Sequence, residues 1–445
     1  MVVSRGRPGG PLARLAAGAE VPVFVARGLG AGDTEARLLG TSAVRVVASP
    51  RQATVLVVAG HVPPGMAEPL ARVHDQIPPP RVTVWRTGAG AGALDAIRAA
   101  WPQATVVGPG DDVAATVVHA YREVLLGRRP TEQPRLADVE PAEWRGVGPY
   151  GQGGSGMTGG VPYGRPMAGR ADDLRDGLSL DVVRVRMGPF LPAFPTGLVL
   201  AVTFAGDVVH AVEVDDLLTP GDGGLGAPLP DDAADSRGDP AARPVRIDGL
   251  ERARCRHHLR WLARLLRLYG LEALGRRVAL MAAAPVPEDI AHLRNLHRRL
   301  ERAWVLGRVT AGVGVVTGDA AAQWGGVTAR AAGLAVDARS GSPAYQALGF
   351  APVTHEAGDG RDRWRQRLAE ATQALELAGR AGDATVDDDH IEPAGQPAPA
   401  DLAGALGTAL TGQEWGDALA TVASIDPVVH PGAGADRPAR AEAAA

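Results

Sequence analysis

SPRQATVLVVAG, residues 49–60, and RVHDQIPPPR, residues 72–81, are the two stretches that decide the fold of the N-terminal part of the chain. The first ends in a run of apolar residues that predicts a strand buried on both faces. The second predicts the end of a helix that runs into a turn fixed by prolines. A buried strand followed by such a helix is typical of a parallel sheet, whose strand ends commonly hold a ligand.

Short apolar strands and amphipathic helices alternate from residue 21 to residue 127. This alternation predicts an α/β domain in which a parallel sheet, flavodoxin-like in layout, is covered by helices on both faces. The predicted strands are residues 21–25, 44–47, 54–58, 82–85 and 105–107, and the predicted helices are residues 66–76, 91–101 and 113–126.

The rest of the chain is divided by composition. Residues 1–20 are predicted to be a flexible N-terminus, 128–180 a Gly/Pro-rich linker, and 431–445 a frayed tail. Residues 181–430 predict a second, mainly helical α+β domain. It has a strand at 182–187, a hairpin that turns at residues 205–207, a loop at 218–242, and helices at 249–269, 287–306 and 362–377.

Composition excludes several classes of protein. All 46 basic residues of the 445-residue chain are arginine, and the net charge of −4 gives no general reason to bind nucleic acid. The single cysteine, Cys255, cannot form an internal disulfide or supply several thiolates. No apolar run approaches the ~20 residues of a membrane span. We therefore expect a cytoplasmic protein without a direct membrane span.

The helix predicted at residues 249–269 carries many arginines and two adjacent histidines. Leu259, Leu262 and Leu266 recur at helical spacing, so we expect the arginines to lie on a solvated face. The side chains of His257 and His258 point about 100° apart on a helix, which disfavours a shared metal ion. Cys255 is predicted to be buried as a small apolar side chain.

Three loops follow strands of the predicted parallel sheet, where ligands collect in such sheets. The loop after the fourth strand fits G-x-G-x-x-A through Gly88, Gly90 and Ala93, and Asp111 follows the next strand. Glycines of this kind allow close approach of a pyrophosphate, and a carboxylate can hold a ribose, so a nucleotide such as NAD is one candidate ligand. A plain tight turn is the other interpretation.

The two stretches at residues 49–60 and 72–81 also carry a family resemblance. Residues 49–60, followed by PPGMAEPLARVHDQIPPPR at residues 63–81, resemble the B-type subunit of NADH–quinone oxidoreductase, respiratory complex I, and the similarity extends over residues 21–127. The resemblance implies a domain that holds a four-iron cluster and passes electrons to quinone.

The four cysteines that such a cluster needs are absent. The resemblance places a pair after the first strand, where residues 26–28 are Ala-Arg-Gly, and a third cysteine in the glycine-rich loop at residues 87–92. The fourth is expected after Pro109-Gly110, where the chain has Asp111. Because such clusters are held by soft thiolate ligands, we expect no iron–sulfur cluster.

The second domain resembles the D-type subunit of the same enzyme, which is related to the large subunit of nickel–iron hydrogenases. The strongest match is GVGVVTGDAAAQWGGVTARAAGLAVDAR, residues 312–339. Further matches are the RMGP run with Gly188 and Pro189, the hairpin at residues 198–214, residues 251–253, and the closing segment with Asp426, Asp436 and Arg437.

Groups that would react with quinone or nickel are replaced in this domain. Leu191 and Thr196 stand where the resemblance places histidines, and the segment after the hairpin has no Tyr or His to donate a proton. Val428 follows Asp426-Pro427 where a nickel site needs cysteine. We expect no nickel–iron centre.

The resemblance implies a fusion of the B-type and D-type subunits that keeps both scaffolds without the redox groups. The expected role is structural, or in assembly, beside other subunits of a complex I-like or hydrogenase-like complex at the inner face of the cell membrane. The alternative is an active quinone- or NAD-linked oxidoreductase with a replaced redox centre.

A contact surface between the two domains is predicted from the retained scaffold residues. Ser49, Pro50, Arg51 and Gln52 are expected on one side, and Gly188, Pro189 and Asp426, with Asp436 and Arg437, on the other. Because a buried charge without a partner is costly, Arg51 and Asp426 are expected to pair there with opposite charges or backbone carbonyls.

Overall fold

A computed structural model describes residues 10–87, 95–137, 169–215, 245–387, 390–392 and 395–428. The N-terminal unit contains the strands β1 (Val21–Arg27), β2 (Val44–Val46), β3 (Val55–Ala59), β4 (Val82–Arg86) and β5 (Thr105–Val107). Its helices are α1 (Pro11–Ala16), α2 (Thr34–Gly40), α3 (Ala67–Gln76), α4 (Asp95–Ala99) and α5 (Val113–Leu125).

The five strands form one sheet in the order β2-β1-β3-β4-β5, and every neighbouring pair is parallel. Side chains of one face, such as Val23 and Val57, pack with α2 and α5, whereas those of the other face, such as Phe24 and Leu56, pack with Leu70 of α3. Because both faces are buried, the strands are continuous apolar runs. The predicted parallel sheet is confirmed.

The second unit begins with an antiparallel sheet of β6 (Arg170–Asp172), β7 (Ser179–Met187), β8 (Leu200–Ala205) and β9 (Val208–Val214). Short strand pairs join β10 (Val245–Arg246) to β11 (Thr385–Val386) and β12 (Gln396–Pro397) to β13 (Pro427–Val428). The hairpin turns at residues 205–207 as predicted.

Helices make up most of the rest, so the mainly helical character of the C-terminal region is confirmed. They are α6 (Ile247–Leu268), α7 (Glu272–Met281), α8 (Ile290–Arg302), α9 (Trp304–Thr310), α10 (Gly318–Trp324), α11 (Gly326–Ala331), α12 (Pro343–Ala347), α13 (Gly360–Arg380), α14 (Leu402–Leu410) and α15 (Trp415–Ile425). The helix predicted at residues 287–306 is interrupted at Ala303, whose ψ of 76° is not helical.

Two segments are more structured than composition predicted. Helix α1 lies within the N-terminus predicted to be flexible, and the backbone carbonyl of Ala16 accepts a hydrogen bond from Tyr121. In the range predicted as a linker, Glu132 is buried and accepts hydrogen bonds from the backbone and hydroxyl of Thr83, while β6 and the start of β7 form sheet. The partners of Ala16 and Glu132 lie far away in sequence, which local composition cannot show. The loop predicted at residues 218–242 lies outside the described residues.

One apolar core joins the two units. It contains sheet residues such as Val57, residues of α2 and α5, and residues of α6, α7 and α13 such as Leu262 and Trp364. Glycine allows α7 to approach α6 closely, because a Cβ on Gly275 would lie 2.9 Å from the carbonyl oxygen of Ala263. The N-terminal sheet is therefore packed against the helical unit and not merely tethered to it.

A network of buried charges fixes the helical unit. Arg339 donates to both oxygens of Asp337, at 2.9 and 2.8 Å, and to both oxygens of Glu251 of α6, at 3.1 and 3.2 Å. Arg330 of α11 donates to Glu370 of α13, at 2.7 and 3.2 Å. Both guanidiniums are about 1% exposed. Charges so deep in a protein are stable only when paired and hydrogen-bonded, so the network sets the relative positions of α6, α11 and α13.

Replacing Glu251 with Gln tests the importance of this network. The amide cannot neutralise Arg339, so we expect the free energy of unfolding to fall by about 3–5 kcal/mol, as when one partner of a buried ion pair is removed. The measurement is denaturant unfolding followed by circular dichroism. The control is Glu68→Gln, which removes a pair with Arg72 whose carboxylate is 65% exposed and should cost less than about 1 kcal/mol. Equal effects of the two substitutions would contradict the interpretation.

Candidate functional site

Strand β1 ends at Arg27, in the loop where the resemblance to the B-type subunit implies a pair of cysteines. The Arg27 guanidinium is directed into the second unit, where one nitrogen donates hydrogen bonds to the carbonyls of Pro192 and Phe194, both at 2.8 Å. Burial, together with the charge of Arg264, lowers the pKa of Arg27 to about 10. A cation that joins the two units thus occupies the position at which cluster ligands are expected.

Further charged groups surround this contact. Arg264 of α6 donates to Asp426 at 2.7 Å, and Arg267 pairs with Glu35 of α2 and donates to the carbonyl of Val46 at 3.1 Å. Burial alone would raise the pKa of Glu35, but Arg267, Arg27 and Arg264 outweigh burial and lower it. Three guanidiniums and two carboxylates, contributed by both units, thus lie close together. A cavity of about 50 Å³ separates the loop after β1 from α6 here.

A larger cavity of about 630 Å³ also lies between the units. Ser49, Pro50 and the α3 side chains Glu68, Arg72 and Gln76 line one wall, and Gly188, Phe190 and Leu191 line the other. Residue 188 in this wall has to be glycine, because its φ is +97° and a Cβ there would lie 2.2 Å from the carbonyl oxygen of Leu198. The lining is mixed: the second wall offers apolar groups and the side chain of Arg186, and α3 offers charged and amide groups.

The predicted scaffold residues fall into separate places. Ser49, Pro50 and Gly188 line the larger cavity, and Pro189 beside them is buried. Asp426 lies instead in the charged cluster, with a left-handed backbone φ of 50°. Arg51 and Gln52 are exposed, so the expected pairing of Arg51 with a buried charge is wrong: its short 3₁₀ turn presents the side chain to solvent. Asp436 and Arg437 lie outside the described residues.

Only part of the predicted nucleotide loop can be assessed, because Gly88, Gly90 and Ala93 lie outside the described residues. Asp111 accepts a hydrogen bond from the backbone of Gly108 at 2.8 Å, and Asp112 caps the start of α5. Both carboxylates therefore stabilise the local backbone. The nucleotide interpretation remains a hypothesis.

The single cysteine is a poor candidate for a metal ligand. Cys255 is fully buried within α6, and burial raises the pKa of its thiol, which disfavours a thiolate ligand. Its predicted burial is confirmed. Within the ranges that the structure describes, no group of three or more His, Cys, Asp or Glu side chains is placed to hold a metal ion. The same ranges contain no helix long and apolar enough to cross a bilayer.

Sequence reasoning missed the arginines of α6. They were expected on a solvated face, but Arg254 is 3% exposed and the side chain of Arg267 is 9% exposed. They are buried because acids distant in sequence, such as Glu35, reach them. One signal was present: Arg267 directly follows Leu266 of the apolar stripe, so it lies beside the buried face.

Comparison with known families gives a match to part of the chain. The family described as respiratory-chain NADH dehydrogenase, 49 Kd subunit, matches residues 282–399, from the end of α7 to just beyond β12. This is the family of the D-type subunit, so the resemblance is supported over this segment. Comparison with curated proteins gave no match.

Replacing Asp426 with Asn tests the charged cluster between the units. Asn tolerates the left-handed backbone but leaves Arg264 without its carboxylate, so we expect a loss of about 2–4 kcal/mol in the free energy of unfolding. The matched control is Asp383→Asn, because Asp383 accepts from Arg246 at the same 2.7 Å but is 97% exposed. The control should lose much less stability, because water screens an exposed ion pair. If Asp426→Asn and the control lowered the free energy of unfolding equally, the charged cluster would not be important for folding.

The pH dependence of stability tests the buried pair of His258 and Glu370, whose nearest atoms are 3.2 Å apart. Burial lowers the pKa of His258 to about 4, below the 6.5 of an exposed histidine. Between pH 6.5 and pH 4 the unfolded chain therefore binds a proton that the folded chain does not, and stability falls as the pH falls. We expect His258→Gln to reduce this slope by up to about 1 kcal/mol per pH unit near pH 5. The control is substitution of His292, whose side chain is 72% exposed.

Proposed function

We propose that this protein is a non-catalytic structural or assembly component of a respiratory NADH–quinone oxidoreductase-like or hydrogenase-like complex. In this proposal one chain fuses a domain of the B type, with a flavodoxin-like sheet, to a domain of the D type. The family match over residues 282–399 supports the second of these domains. The sheet order 2-1-3-4-5, which flavodoxin shares, supports the first.

The observation that carries the proposal is the contact of Arg27 with the carbonyls of Pro192 and Phe194. An electron-transfer site at the end of β1 would need soft ligands there, whereas this chain has a hydrogen-bonded cation that joins the two domains. A permanent cation beside Arg264 also disfavours any cationic metal centre on electrostatic grounds. The contact is therefore suited to holding two domains in a fixed arrangement.

Ser49, Pro50, Gly188 and Pro189 support the same proposal in a different way. They lie at or beside the cavity of about 630 Å³ and maintain its shape, since Gly188 cannot be replaced without displacing the Leu198 backbone. Leu191, where an imidazole is implied by the resemblance, presents an apolar side chain that cannot donate a proton. The proposed chain keeps the geometry of the family's cleft without its acid–base groups.

The cavity also favours a second candidate, an oxidoreductase that binds quinone there and receives electrons from a partner. Its volume lies in the range of small-molecule sites, and Phe190 and Leu191 offer an apolar wall. Arg72 and Gln76 of α3 could donate hydrogen bonds to a carbonyl oxygen. This alternative differs from the first because it requires turnover.

A reductase assay with metal analysis separates the two candidates. We expect the purified protein to contain only substoichiometric iron and nickel. We also expect that it does not catalyse the reduction of short-chain quinones by a chemical electron donor. The cleft-filling variant Leu191→Trp provides the comparison. Turnover by the wild type that is lost in Leu191→Trp, while the melting temperature is unchanged, would establish the oxidoreductase. Absence of turnover, together with elution of the chain from its source cells in a high-mass assembly, would support the structural role.

A further inference from the structure

The corner formed by α8 and α9 exposes an unusual group of apolar side chains. Trp304 is 74% exposed, Val305 53% and Val309 42%. Helix α9 starts directly after the break at Ala303 and directs Leu306 and Thr310 into the core, so that its opposite side faces solvent. A large apolar side chain exposed to water lacks the free energy that burial would provide. A surface on which Trp304, Val305 and Val309 are all exposed is therefore typical of a contact site.

Arginines surround this corner. Arg298, Arg299, Arg302 and Arg308 are exposed, and none of them forms an ion pair within the described ranges. The nearby Glu301 is already engaged by Arg365 and Arg361. Arg294, which lies on the same helix α8, differs from these arginines because it pairs with Glu376. The corner is therefore a cationic surface with an apolar centre.

This arrangement gives the isolated chain no evident benefit. Arg298 and Arg302 are four residues apart on one helix, and like charges at that spacing repel each other. Trp and Arg are also the residues that most often dominate the energy of protein interfaces. A partner that covers Trp304 and supplies carboxylates would both remove the repulsion and bury the indole.

We propose that the α8–α9 corner, defined by Trp304, Val305, Val309, Arg298, Arg302 and Arg308, is a docking site for a protein partner. The complementary surface would carry one or two apolar side chains surrounded by Asp and Glu. This inference rests on the proposed function, because it names the surface through which the chain joins its assembly.

A protein is favoured over a lipid bilayer by the packing of α8. Helices that lie in a membrane interface need a long free apolar face, but Leu293, Leu296 and Leu300 of α8 are buried in the core. Only the short α9 is left to present apolar side chains. The small exposed apolar area of α9 suits a pocket on a protein better than insertion into the headgroup layer of a membrane.

Site-specific photo-crosslinking in the source cells tests the proposal. Trp304→p-benzoyl-phenylalanine places the reactive group at the corner, and Leu12→p-benzoyl-phenylalanine is the control at a helix position that is 82% exposed. Adducts are identified by peptide mass spectrometry, and the first variant is repeated with Arg298→Glu and Arg302→Glu added. Size-exclusion chromatography of each lysate reports whether the chain is in an assembly.

The expected result is a protein adduct at residue 304 that maps to an acidic segment of one partner, is absent from the control, and falls at least tenfold with the two charge reversals. Adducts to lipid or to a second copy of the chain would overturn the proposal, as would an adduct that is insensitive to the charge reversals or a yield equal to that of the control. An assembly that persists while residue 304 forms no adduct would refute this surface alone. Elution of the wild type as a monomer would refute the proposed function as well.

Discussion

The buried pairing of Arg330 and Arg339 with carboxylates of α6 and α13 is the constraint on which the rest of the structure depends. Neither guanidinium has access to water, so Glu251 and Glu370 must be delivered by helices held in a fixed register. The same helix carries Arg264 and Arg267, which contact Asp426, Glu35 and the carbonyl of Val46. The positions of Arg264 and Arg267, and with them the contact between the units, follow from the packing of this one helix.

The contact between the units also depends on arginines paired with carboxylates, in a smaller volume. Arg27, Arg264 and Arg267 are balanced by Glu35 and Asp426, and backbone carbonyls accept the remaining hydrogen bonds. Such a set is specific in geometry, because each long side chain has to reach particular partners. It contains no thiol or other redox-active side chain. This combination is suited to a scaffold.

Much of the fold could be predicted from local patterns, whereas the site could not. The apolar run at Val55–Ala59 and its neighbours predict the parallel sheet because burial on both faces leaves a signature in each strand. The burial of Arg267 and the exposure of Arg51 depend on partners or turns that a local pattern does not encode. The same holds for Glu132, whose partner Thr83 is brought near only by the finished sheet. The charged cluster is thus a product of tertiary structure.

We infer that the two units form one body held together by their buried contact. Native-state hydrogen exchange of the full chain tests it most directly by comparing amides of β1 and β3 with amides of α6 and α13. If the continuous core and the charged cluster unite the units, both sets should exchange with the same opening free energy, equal to that of global unfolding. Exchange of the sheet amides through a separate opening of distinctly lower free energy, while α6 and α13 stay protected, would contradict the claim.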